Sequence, residues 1–163
     1  MRTTQQTTQA GFSLIELMVA IAIVAVLAAI AVPNYNRYVE KSRRTDATTA
    51  LTRIAGQLER CYTQFSAYNK AGCNFGFVSN GALRNVAHAD LGGGGIRSEE
   101  GDYDLTIAAR AGSTAAQSYV LTATARAGGR QANDDICDTF TLTNVGEKNS
   151  TPAPAAGADN PCW

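Results

Sequence analysis

The sequence predicts an α+β fold in which one long N-terminal helix packs its C-terminal half on a small antiparallel sheet. Three observations carry that reading. The stretch from Gly11 to Pro33, GFSLIELMVAIAIVAVLAAIAVP, is apolar on every side; a single apolar stripe continues to Phe65; and three segments of alternating polarity come later in the chain. From Phe12 to Val32 only Ser13 and Glu16 are polar. At about 1.5 Å rise per residue such a run makes a helix on the order of 30 Å long, the thickness of a bilayer's hydrocarbon layer. A carboxylate in that setting is costly unless something neutralises it, so Glu16 needs a partner and is a functional candidate.

Past the apolar run, Leu51, Ile54, Leu58, Cys61, Tyr62 and Phe65 recur at steps of three and four, while Arg53, Gln57, Glu59 and Arg60 fall on other faces. The spacing predicts one helix from about Phe12 to Phe65. Pro33 is expected to kink it, because proline lacks a backbone donor and crowds the preceding turn. The first half needs lipid or other helices all round, and the second needs a sheet on one side.

Composition then shifts to Gly, Asn, Ser and Ala, and Ser66 to Gly101 reads as an irregular connection. Its run Gly92 to Gly95 lacks the Lys-Ser/Thr of a phosphate loop, so a flexible turn is expected there. YDLTIAA from Tyr103, SYVLTATA from Ser118 and DTFTLTN from Asp138 alternate as strands with one buried face do, separated by turn residues. They form a meander on the helix stripe. The tail TPAPAAGADNPCW is too rich in Pro and Ala for helix or strand.

Four cysteines, Cys61, Cys73, Cys137 and Cys162, form an even set and favour disulfides in an oxidising compartment. Sequential pairing, Cys61 with Cys73 and Cys137 with Cys162, would tie the helix end to the connection and the last strand to the tail, each closure stabilising by about 3 kcal/mol. Four cysteines allow three connectivities, and spacing alone leaves them open. No CxxC pair is present and the only histidine, His88, has no partner motif, so neither metal nor cofactor is expected. His88 reads as solvated loop, as does the separate turn with Asp134 and Asp135, where calcium is a minor alternative.

The formal net charge is zero. It is unevenly spread: from Pro33 to Ser66 six cations face three anions, whereas from Ala67 onward seven face ten. The acidic excess from Ala67 onward argues against nucleic acid as a partner, although Arg126 with Arg130 could form a local basic patch. One histidine, no GxSxG and no paired carboxylates in a recognisable frame leave no catalytic constellation, so no enzyme is expected. Residues 1–11, MRTTQQTTQAG, read as a polar leader. An ordinary secretory signal is the alternative, since Ala29-Ile30-Ala31 fits a cleavage site, but the apolar run is long for one and carries an acid.

The stretch from Gly11 to Pro33 resembles the N-terminus of type IV pilins and the related pseudopilins, specifically over Gly11 to about Ala50. The ending PCW after an FTL strand is similar to PilE-type minor pilins. The resemblance implies that a prepilin peptidase cuts after Gly11, that the new terminus Phe12 is N-methylated, and that Glu16 is the family's assembly glutamate. Its partner would be the Phe12 amine of a neighbouring subunit, and the pair would set axial register in an apolar filament core. It also implies a leader at 1–11, a membrane and filament-core helix at 12–33 and a periplasmic head at 34–163. Implied partners are other pilin subunits, the peptidase, the inner-membrane assembly platform and, before assembly, inner-membrane lipid. The expected role is that of a minor pilin in a filament, with a type II secretion pseudopilin, or a tip-exposed adhesin or DNA-binding pilin, as alternatives. Two features depart from the family pattern. Ala25 stands where many pilins have Gly, and alanine favours helix over glycine by about 1 kcal/mol. Arg37, Lys41, Arg43 and Arg44 follow the apolar run, where a plain positive-inside count would put them in the cytoplasm.

Overall fold

The computed structural model describes residues 12–132, 134, 136–153 and 160–163. The leader with Gly11, and Asp135, lie outside the described residues. The chain divides into two compact units, Met1–Val39 and Glu40–Trp163. Helix α1, Leu14–Phe65, contributes to both and remains helical through Ala25 and Pro33.

In the first unit the described residues are almost wholly α1. Its large apolar side chains, from Leu14 to Val32, are each more than half exposed. This surface follows from the composition: a helix apolar all round has no polar face to turn outward.

The second unit is built on the C-terminal part of α1. Ala47, Ala50, Leu51, Ile54, Leu58 and Cys61 are its buried positions, repeating at three and four. They meet a five-stranded antiparallel sheet of order β3-β4-β5-β6-β7: β3 Ile96–Arg97, β4 Tyr103–Ala108, β5 Val120–Ala125, β6 Thr139–Thr143 and β7 Lys148–Thr151. The alternation works as period-2 geometry requires. Tyr103, Leu105 and Ile107 of β4, Leu121 and Ala123 of β5, and Phe140 and Leu142 of β6 are buried in the core they share with the helix stripe. Cross-strand registers such as Leu105 with Ala123 and Ala123 with Phe140 keep these side chains in one layer.

Two parts of the sequence reading need correction. The segment from Ser66 to Gly101 is not irregular: it contains a hairpin, β1 Asn74–Ser79 with β2 Ala82–Ala87, a short helix α2 His88–Gly92, and β3. Its signal was Asn80-Gly81, a two-residue turn in which both residues have positive φ, 50° and 74°. That is the geometry whose twist suits a tight hairpin. Phe75, Phe77 and Val86 supply its buried face. Ser79 Oγ accepts the Arg97 amide at 2.9 Å and Asn80 N–H donates to Ser98 O at 2.9 Å, which ties the hairpin to the main sheet. The other correction is the extra edge strand β7, whose residues KNST bury only Ser150. It carries no apolar alternation, so only its pairing with β6 reveals it.

Disulfides join Cys61 to Cys73 and Cys137 to Cys162. The first links the end of α1 to the start of the hairpin. The second fixes the chain end, where Trp163 packs edge-on against Phe140 and donates from Nε1 to Asn149 O at 2.9 Å.

Candidate functional site

Glu16 lies in the first turn of α1, the only acidic residue there. Its amide and that of Leu17 donate to Ser13 O at 3.1 and 3.2 Å, so the helix starts within reach of Phe12 in sequence. The Glu16 side chain is exposed among apolar neighbours, and it belongs to no ion pair among the described residues. Pro33 closes the apolar stretch inside the same helix. The residues expected to act in assembly that fall within the described chain, Phe12, Glu16 and Pro33, thus share one exposed apolar segment with no internal cover.

The head's polar groups are mostly committed to one another. Arg44 forks onto Asp134 with two contacts of 2.7 Å, and the Asp134 side chain is 1% exposed. The same carboxylate accepts the amides of Ile136 and Cys137, each at 3.1 Å, and Gln131 Nε2 at 3.0 Å. Burial works to raise the pKa of Asp134, but the Arg44 guanidinium and the two backbone N–H groups outweigh it, so the pKa lies below the usual value. Asp134 is therefore not the solvated loop residue its neighbours suggested; it pins the segment before Cys137 to α1. The sequence held no sign of this, because Arg44 and Asp134 are 90 residues apart. Gln131 also donates to the Tyr103 hydroxyl at 3.2 Å, and burial pushes Tyr103 up to about 12.

His88 likewise is not in a solvated loop. It starts α2 with a buried Nε2 that has no partner among the described residues, and burial lowers its pKa, favouring the neutral ring. At the end of α1, Glu59 accepts the hydroxyls of Tyr68 and Tyr119, each with a contact at 3.1 Å, and Tyr68 is raised to about 12 by burial and then by Glu59. Arg53, Arg97, Arg110 and Arg130 each face a carboxylate: Glu99, Asp104, Glu147 and Asp102. Arg130 is thus paired with Asp102, which weakens the local basic patch that Arg126 and Arg130 could have formed. No group of three or more candidate metal ligands is found among the described residues.

Comparison with known proteins adds to this geometry. A family model described as "Type IV minor pilin ComP, DNA uptake sequence receptor" matches residues 33–141, and the prokaryotic N-terminal methylation motif matches residues 6–32. Fimbrial protein Q of Moraxella bovis is 31% identical over 119 residues, covering 63% of this chain and 71% of that protein. The type IV major fimbrial protein FimA of Dichelobacter nodosus is 33% identical over 98 residues, 54% of this chain and 60% of the relative. The type IV major pilin protein PilA of Myxococcus xanthus is 34% identical over 68 residues, so the chain spans only 31% of that relative's length. A solved type IV pilin from Shewanella oneidensis superposes with a TM-score of 0.42 at 20% identity, over 76% of this chain and 97% of that one. With one model matched across the head and another across the apolar helix, the chain belongs to the type IV pilin family.

Proposed function

We propose that this pilin is a minor subunit of a type IV pilus, held in the inner membrane by residues 12–33 with its head, residues 34–163, in the periplasm, and then built into the filament. The leader, residues 1–11, is removed by the prepilin peptidase after Gly11, and Phe12 is N-methylated. The observation that carries the reading is the single carboxylate of Glu16 on an otherwise apolar, outward-facing helix that matches the methylation motif. In the filament its partner is the Phe12 ammonium of a neighbouring subunit. Each charge alone in an apolar core is strongly penalised, and the pair removes both penalties only in one axial register. Pro33 is where the helix bends to fit its neighbours, and the assembly platform in the membrane delivers the subunit.

Intact mass and N-terminal sequencing of the protein from membranes and from sheared filaments test this reading. A mass starting at methylated Phe12 in the filament fraction is expected. A terminus near Asn34, with the apolar run gone, would refute it. Glu16→Ala should leave a membrane-inserted, folded subunit that is largely missing from filaments; normal incorporation would remove Glu16 from the mechanism.

A second reading, DNA recognition by the head, is favoured by the description of the matched family model. It runs against the acidic count from Ala67 onward, and five arginines of the head, including Arg44, already face carboxylates. Among the described residues Arg84 belongs to no ion pair; it donates to Gly95 O at 3.1 Å and lines an open polar cleft of about 520 Å³ with Arg97 and Gly94. Binding of duplex DNA measured across salt concentrations decides it. A slope of log affinity against log salt that flattens by about one in Arg84→Gln supports recognition, and no binding at low salt rejects it.

A further inference from the structure

Just past the apolar run, two tyrosines and two cations have no partner among the described residues. Tyr35 and Tyr38 are 67% and 72% exposed, unusual for rings of that size. Arg37 lies between them in sequence and is also exposed, and among the described residues neither Arg37 nor Lys41 belongs to an ion pair. The next two cations differ. Arg43 donates to Arg130 O at 3.2 Å and Arg44 is locked on Asp134. Of the four cations from Arg37 to Arg44, the two nearest the apolar segment are thus the uncommitted ones.

Distance along the helix gives these residues a place. Leu14 to Pro33 at about 1.5 Å per residue fills a hydrocarbon layer of about 30 Å. Tyr35, Arg37 and Tyr38 then fall about 3 to 7 Å beyond it, within the headgroup layer. Tyrosine suits that layer because its ring is apolar and its hydroxyl wet. A guanidinium matches a phosphate oxygen pair with its planar fork of donors.

We propose that Tyr35, Arg37 and Tyr38, with Lys41 four residues on, form a collar that binds anionic phospholipid headgroups in the leaflet facing the head. The collar holds the unassembled subunit at a fixed depth, and this rests on the anchored-pilin reading above. It also gives the cations after the apolar run a role on the side that a positive-inside count disfavours. Each cation at such a surface is worth about five-fold in affinity. Glu40 lies between Arg37 and Lys41 in sequence and offsets one charge, so the net preference for anionic lipid should be nearer five-fold than thirty-fold.

The test is native mass spectrometry of the full processed chain in detergent, titrated with phosphatidylglycerol or phosphatidylcholine. Retention of phosphatidylglycerol about five-fold above phosphatidylcholine is expected, with the difference abolished in Arg37→Gln/Lys41→Gln and kept in Arg84→Gln/Arg126→Gln. Equal retention of the two lipids overturns the collar, as does a preference that survives the first variant or disappears in the second. The same spectra report the intact mass. A chain lacking Phe12 to Val32 sinks the anchored reading and the collar together, whereas a chain that keeps them without lipid preference sinks only the collar.

Discussion

At the residue scale, the Arg44–Asp134 pair is the most consequential polar contact of the head. Removing one member of a buried, hydrogen-bonded pair typically costs about 3–5 kcal/mol, because the other charge is left without compensation. Asp134→Ala should accordingly lower the thermal midpoint of the purified protein sharply, while Arg97→Ala, at a half-exposed pair with Asp104, should shift it little. The pH dependence follows from the sign of the shift. Asp134 has a lowered pKa in the folded state, so its stabilisation is complete above the ordinary Asp value of about 3.9 and fades as pH falls through the folded value. Asp134→Asn should therefore be clearly less stable than the parent at pH 7, and the two melting curves should draw together below about pH 4. A gap of constant size across that range would show that the carboxylate's charge is not what stabilises the loop.

At the element scale, legibility tracked hydrophobic period. The stripe from Leu51 to Leu58 and the alternation of β4, β5 and β6 are written in apolar residues and were readable. The hairpin β1–β2 was readable too, from Asn80-Gly81 and the buried Phe75 and Phe77, but the glycine-rich surroundings masked it. β7 was not, since KNST has no apolar face, nor was the Asp134 clamp, whose partner is remote in sequence. The connection from β3 to β4 carries a sharp requirement at Gly101. Its φ is +78°, and an added Cβ would run into the Asn80 side chain at the hairpin turn. Gly101→Ala should cost more than about 1 kcal/mol, combining the penalty of a left-handed backbone with the clash. Gly112→Ala, at φ +77° with open space around it, should cost only the backbone part. Equal denaturation midpoints for the two variants would mean the hairpin turn moves aside freely.

At the scale of the whole molecule, the two units face different demands. The first exposes an apolar helix that no described residue covers, and the second closes a core of its own from Ala47 to Cys162. One helix thus serves two environments, and its composition changes where they meet: apolar all round before Pro33, one-sided beyond Lys41. The division predicts that residues 40–163 fold alone. Glu40 O still receives Gln131 Nε2 in such a fragment, and every buried residue of α1 lies beyond the cut. The fragment should be monomeric without detergent and unfold in one cooperative transition. Reducing both disulfides should lower its stability by about 3 kcal/mol for each loop opened. The full chain should require detergent and oligomerise when it is removed, because its helix then has only other helices to cover it. A fragment that lacks a cooperative transition, with its disulfides intact by mass, would mean that the apolar half of α1 contributes to folding the second unit.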